Sequence, residues 1–157
     1  MTNFFKNSDL SRNDAENIVS DTLNKCDDGE LYLEDSKSES IILDDNKIKG
    51  SSYSSDLGFG FRAVSDEIVA YSHSNEISKN SLNQSSESLK STLRSTKGTY
   101  NHSIPKTNKK YYENINPIEQ KSLDEKIEIL NKVNNYLRSK DSNVKQVTAN
   151  FSGEQKT

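Results

Sequence analysis

The sequence predicts an α+β fold: an antiparallel β-meander of about four to five strands packed against two to three helices. Three observations carry the prediction. Apolar residues recur at helical spacing after Ser11, after Ser78 and after Ser122, and between Gly29 and Ser72 the period changes to two. Turn strings rich in Asp, Asn and Gly separate the short runs closely enough for hairpins. Of 157 residues, 30% are hydrophobic and the net charge is −3. That is enough apolar material for one small core, and too little self-repulsion to hold the chain open.

Each element has a local reason. Residues 1–10 show no period and read as a flexible N-terminus, with Phe4, Phe5 and Leu10 able to dock on the domain that spans 11–153. Ala15, Ile18, Val19, Thr22, Leu23 and Cys26 form one helical stripe, with Ser11 as N-cap and Asp14 and Glu16 in the first turn. Asp27-Asp28-Gly29 is expected to stop that helix. Leu31 and Leu33 share one strand face, Ser40–Leu43 is a second run, and Asp44-Asp45-Asn46 is a turn leading to a third strand over Ile48–Tyr53. Gly58–Val64 and Ile68–Ser72 flank Ser65-Asp66-Glu67 as a hairpin. Leu82, Ser86, Leu89 and Leu93 give the second helix its stripe, the serine letting it lie close to the sheet. Residues 97–117 carry both prolines and no period, and are expected to form one long loop, of a length that in a compact domain is more often functional or mobile. Ser122-Leu-Asp-Glu125 is a capping box, and Leu123, Ile127, Leu130, Val133, Tyr136 and Leu137 are expected to be the buried stripe of the third helix. Val147, Ala149 and Phe151 alternate as a last strand, and residues 154–157 are expected to be disordered. That strand needs a neighbour. It either pairs back with the meander or had a partner in residues not present.

Composition removes several functions. The longest apolar runs, Ser40–Leu43 and Ile68–Tyr71, are far short of the roughly 20 residues of a membrane span, and the N-terminus lacks the apolar stretch of a signal peptide. A cytoplasmic chain that needs no membrane is expected. A single cysteine excludes an internal disulfide framework. Slight acidity argues against nucleic-acid binding in general. The one basic and aromatic cluster, Lys106, Lys109 and Lys110 beside Tyr111 and Tyr112, reads as a solvated loop more simply than as a single-strand site.

Chemistry is scarce. The soft and imidazole ligands are Cys26, His73 and His102, with no CxxC pair and no histidine pair at helical spacing. His73-x-x-Glu76 is half of a zincin-like string, but residue 77 is Ile where a second histidine is required. Gly58-Phe59-Gly60 is followed by a strand-like run, whereas a phosphate loop opens a helix; a bulge or close backbone approach is the simpler reading. Cys26, on the apolar stripe, reads as a small buried hydrophobe. The acidic residues cluster in turns. No catalytic, cofactor-binding or metal-binding residue is assigned.

Several strings in order resemble a known family. Asp28-Gly-Glu-Leu-Tyr-Leu33, Ser38-Glu-Ser-Ile-Ile-Leu43, Lys47-Ile-Lys-Gly-Ser-Ser-Tyr53 and Leu57-Gly-Phe-Gly-Phe-Arg-Ala-Val64 are similar to the N-terminal domain of the TldD/PmbA (modulator of DNA gyrase) metalloproteases. The similarity continues through Ala70-Tyr71-Ser72 and Ile77-Ser78, and returns at Asn116-Pro117, Glu125–Leu130 and Val144–Gly153. The Gly-x-Gly-x-Arg-Ala hairpin and the Val-Thr-Ala strand favour the TldD-like branch. The resemblance implies a zinc-dependent protease whose His-Glu-x-x-x-His motif and further cysteine lie in a C-terminal domain absent from this sequence. His73 and His102, each followed by serine, match neither position of that motif. It also implies a partner, a PmbA/TldE-like subunit, and an unfolded peptide as substrate. An apolar strand expected after Gly153 is replaced by Glu-Gln-Lys-Thr, so the expectation is a truncated or split TldD-like protein, inactive alone, whose domain served substrate access and subunit contact. The alternative is a stand-alone peptide- or protein-binding module that pairs with a PmbA-like subunit, its sheet edges accepting extended chain.

Overall fold

The computed structural model describes residues 4–94, 111 and 115–157. Its elements run α1 (Arg12–Leu23), β1 (Asp28–Asp44), β2 (Lys47–Ser65), β3 (Ile68–Ser74), α2 (Lys79–Thr92), a 3-10 turn (Ile118–Gln120), α3 (Leu123–Lys140) and β4 (Thr148–Lys156). The four strands are ordered β3-β2-β1-β4, with β2–β3 and β1–β4 antiparallel. The α+β meander expected from the pattern is therefore the fold. The chain divides into two compact units, residues 1–35 with 56–113, and 36–55 with 114–157.

Four strands fall within the expected number, but β1 and β2 are longer than the alternation suggested. The two runs before the Asp45-Asn46 turn are one 17-residue strand, and the two after it one 19-residue strand. The linking stretches are polar and give no apolar signal, but backbone pairing carries the strand through them whatever the side chains. Asp45 and Asn46 both have positive φ, 47° and 66°, the geometry of a two-residue type I′ hairpin, which Asp and Asn tolerate.

In the first unit, α1 and α2 cover one face of the sheet. Leu10, Ala15, Leu23, Cys26, Phe59, Phe61, Ala63, Ala70, Ile77, Leu82, Leu89 and Leu93 are its core, with Phe4, Phe5, Ile18, Val19, Leu31 and Leu33 packed against it. Ser11 caps α1 as expected, in a box with Asp14, whose carboxyl is held below its ordinary value first by the Ser11 hydroxyl and then by Lys79. The helix stops at Leu23, earlier than Asp27. Cys26 lies past the helix end and is buried in the following turn, its N–H donating to the Leu23 carbonyl at 2.9 Å. Asp27 and Asp28 are drawn into the sheet region: the Asp27 N–H reaches the Val64 carbonyl at 2.7 Å and Asp28 opens β1. The small residues of α2 act differently from the expectation. Ser86 meets Thr22 of α1 at 2.7 Å, and its neighbour Ser85 accepts from Ser72 of β3 at 3.0 Å.

In the second unit, α3 packs on β1 and β4 over a small core of Ile41, Leu43 and Leu130, with Ile127, Ala149 and Phe151 against it. Ser122 and Glu125 form the expected capping box, which lowers the Glu125 pKa through hydrogen bonds from the Ser122 backbone and hydroxyl. The buried side of α3 is Lys126, Leu130 and Asn134, while Leu123, Val133, Tyr136 and Leu137 of the expected stripe are exposed. The last strand pairs back with β1 from Thr148↔Asp44 to Lys156↔Ser36. Residues 154–156 are thus strand, against the expected disordered end, because the polar stretch Ser36–Ser38 of β1 supplies their ladder.

Candidate functional site

The residues singled out for chemistry are scattered. His73 lies on β3 opposite Gly60, its ring stacked on Tyr71 at 5.9 Å between centroids. Gly58 is glycine because a Cβ there would stand 2.6 Å from the Ser74 carbonyl oxygen; the close backbone approach of β3 explains it, and no helix N-terminus follows to hold a phosphate. Cys26 is 3% exposed, its thiol contacts the Thr22 carbonyl at 3.6 Å, and burial followed by the Asp27 charge pushes its pKa up. A buried, protonated thiol is a poor metal ligand and a poor nucleophile. His102, Lys106, Lys109, Lys110 and Tyr112 lie outside the described residues. Among the described residues no group of three or more His, Cys, Asp or Glu stands where it could hold a metal ion. A zinc site of the kind the resemblance implies does not fit these residues.

The place where polar groups do converge is in the second unit, and it was not anticipated. Ser38, Glu39, Ser40, Ser52, Ser152, Gly153 and Glu154 line a shallow, open groove of about 340 Å³. Beside it the Lys126 ammonium donates to Glu39 Oε2 at 2.8 Å and to the Ile118 carbonyl at 2.6 Å, with the two side chains 5% and 10% exposed. Glu39 faces Gly153 across the β1–β4 ladder. This arrangement offers hydroxyls and carboxylate oxygens, with no histidine or thiol among the lining residues, so it can hold polar chain by hydrogen bonds and has no base–nucleophile pair. Its signal was present in the sequence. Glu39 stands in phase with Leu31, Leu33, Ile41 and Leu43, and Lys126 is four residues before Leu130, each a charge set in an apolar register.

A further cluster ties α3 to the β1–β2 turn: Arg138 donates to the Asp45 carboxylate and to Asn134, and Asn134 to Asn46. On the first unit, Arg62 bridges Asp28 and Glu30 at 2.7 and 3.0 Å, which raises its pKa. Both clusters are structural in geometry, each charge spent on its neighbour. No helix among the described residues is long and apolar enough to cross a membrane.

The four-stranded antiparallel sheet with its helices, an α+β domain, is a fold that known proteins share. The profile of PmbA/TldA metallopeptidase domain 1 matches residues 29–97. The chain is 36% identical over 131 residues to the metalloprotease TldD homolog of Buchnera aphidicola subsp. Acyrthosiphon pisum, covering 82% of this chain and 27% of that one. It is 33% identical over 132 residues to the TldD homolog of Haemophilus influenzae, covering 80% of this chain and again 27% of the relative. The crystal structure of TldE from Thermococcus kodakarensis superposes with a TM-score of 0.62 at 18% identity, over 91% of this chain and 34% of that one. The chain belongs to the TldD/PmbA family, as a counterpart of its N-terminal portion. It spans about a quarter of the length of the curated relatives it matches.

Proposed function

We propose that the chain acts as the N-terminal domain of a TldD-type metallopeptidase, contributing substrate access and subunit contact and carrying no zinc site of its own. The observation that supports this most is the identity to TldD homologs across four-fifths of the chain, combined with a sequence that contains no His-Glu-x-x-x-His. A zinc peptidase needs about three protein ligands to hold the metal and lower the pKa of its bound water. Cys26 is buried, and exposed His73 stands in no group of three or more His, Cys, Asp or Glu that could hold a metal among the described residues. The role that remains is architectural: to shape the route by which unfolded peptide reaches a metal held elsewhere, and to meet a PmbA/TldE-like subunit. The purified chain incubated with zinc and casein or an unfolded peptide is expected to give no cleavage, and to bind a PmbA-like subunit stoichiometrically in a pull-down. Reproducible, chelator-sensitive cleavage by the chain alone would sink the proposal.

A second reading, a stand-alone module that captures extended chain, is favoured by the sheet edges. Among the described residues, β3 pairs with β2 only over Phe59–Ser65, and β4 ends the strand order. Strand addition gives affinity through backbone hydrogen bonds with little demand on sequence. Binding of an unfolded peptide by the chain, with no binding of a PmbA-like subunit, selects this reading over the first.

A further inference from the structure

We infer that the outward apolar side of α3, formed by Ile129, Val133, Tyr136 and Leu137, is a docking surface for the polypeptide that follows the matched region in longer TldD relatives. The inference deepens the proposed domain role and rests on it. Helices α1 and α2 contribute no residue to the exposed large hydrophobics of the described chain, whereas α3 contributes Leu123, Val133, Tyr136 and Leu137, at 52, 41, 59 and 42% exposure. A surface helix ordinarily turns its apolar stripe to the core and its polar side to water. Here the side facing the core carries Lys126 and Asn134 beside Leu130, and an adjoining stripe at 129, 133, 136 and 137, spaced i, i+4, i+7, i+8, leaves Val133, Tyr136 and Leu137 exposed with half-buried Ile129 at its margin. Lys140 completes it at i+11, its ammonium 4.6 Å over the Tyr136 ring.

Length and charge choose the occupant. The relatives are three to four times longer than the matched region, so most of the chain that could cover this side belongs to their remaining polypeptide. A second copy fits less well. In an antiparallel α3–α3 pair centred on Tyr136, Lys132 of one copy stands opposite Lys140 of the other, a like-charge contact. The complementary surface is an apolar face with a carboxylate at its margin to meet Lys140.

The test fuses this chain to the segment that follows the matched region in the Buchnera homolog, and compares it with the isolated chain. Amide exchange over residues 129–137 is expected to slow at least about tenfold in the fusion. The double substitution Tyr136→Lys, Leu137→Asp should shift the melting temperature of the isolated chain by less than about 2 °C, as an exposed site allows. In the fusion it should cost about 5 °C or more and restore fast exchange. Equal exchange in both proteins, or an equally small shift in both, overturns the inference. So does dimerisation of the isolated chain, by sedimentation, that the double substitution abolishes, since the occupant is then a second copy. Should the fusion not fold, the isolated chain with a benzoylphenylalanine photocrosslinker at Tyr136 or at Asn131, an exposed position about 140° away round the helix, is mixed with the separately made segment. Adducts from position 136 alone support the surface; none, or equal adducts, overturn it. Chelator-sensitive cleavage of an unfolded peptide by the fusion reads the metallopeptidase role separately. Cleavage with an indifferent α3 rejects the surface and keeps the role.

Discussion

Replacing Lys126 with methionine tests how the second unit is held together. Methionine keeps most of the stem volume and removes every donor. The Glu39 carboxylate is then left nine-tenths out of water without its counter-charge, and the Ile118 carbonyl loses its 2.6 Å donor. Breaking a buried ion pair from one side costs about 3–5 kcal/mol, because the abandoned charge stays desolvated. The lost neutral acceptor adds about 1 kcal/mol. The expected total is about 5 kcal/mol, most of it the penalty on Glu39. Lys126→Met combined with Glu39→Met removes both charges, and should return to within about 1–2 kcal/mol of the parent, since apolar replacement of a buried pair is often neutral. Urea unfolding followed by far-UV circular dichroism measures this: at a slope of about 2 kcal/mol per molar, the single variant moves the midpoint by about 2.5 M. A single-variant loss below about 1 kcal/mol, or a double variant no better than the single, refutes the account of Lys126 as the group that keeps Glu39 buried.

Two further outcomes follow from the packing. Gly29→Ala puts a Cβ 2.3 Å from Leu23 Cδ2 and 2.8 Å from the Arg62 carbonyl oxygen, and should cost about 1–3 kcal/mol by overpacking, whereas Gly50→Ala meets nothing within 4 Å and should be neutral or stabilise by about 0.5 kcal/mol; thermal melts of the pair check the contrast, which fails if both behave alike. Cys26 should react with a thiol reagent at least about a hundredfold more slowly in the native protein than in denaturant. Because folding raises its pKa, the stability tied to the neutral thiol is complete below the ordinary thiol value of 9.0 and is lost as pH rises through the folded value, so Cys26→Ala should flatten the alkaline end of the stability profile. An unchanged alkaline slope would count against that burial.

Much of the local structure was legible because its causes are local. Ser11, Ser78 and Ser122 each cap a helix through a hydroxyl that accepts from a backbone N–H three residues on, and that geometry depends on nothing distant. The Asp45-Asn46 turn is of the same kind. The candidate groove was legible only in part: Glu39 and Lys126 are each a charge in an apolar register, but they are 87 residues apart and nothing along the chain pairs them until β1 and α3 are packed. The face of α3 was misread for a related reason. Periodicity finds the apolar stripes of a helix, but with apolar residues on two adjoining sides it does not say which one the sheet receives.

The sequence by itself determined the α+β class, the caps, the turns and the family, since propensity, period and ordered strings are properties of the chain read along its length. Tertiary structure alone decided that β4 closes on β1, that Glu39 and Lys126 meet, and that Val133, Tyr136 and Leu137 face outward. Strand partners, buried charges and exposed faces are set by where separate elements come to rest, and the free energy of desolvation that makes them matter exists only after they have packed.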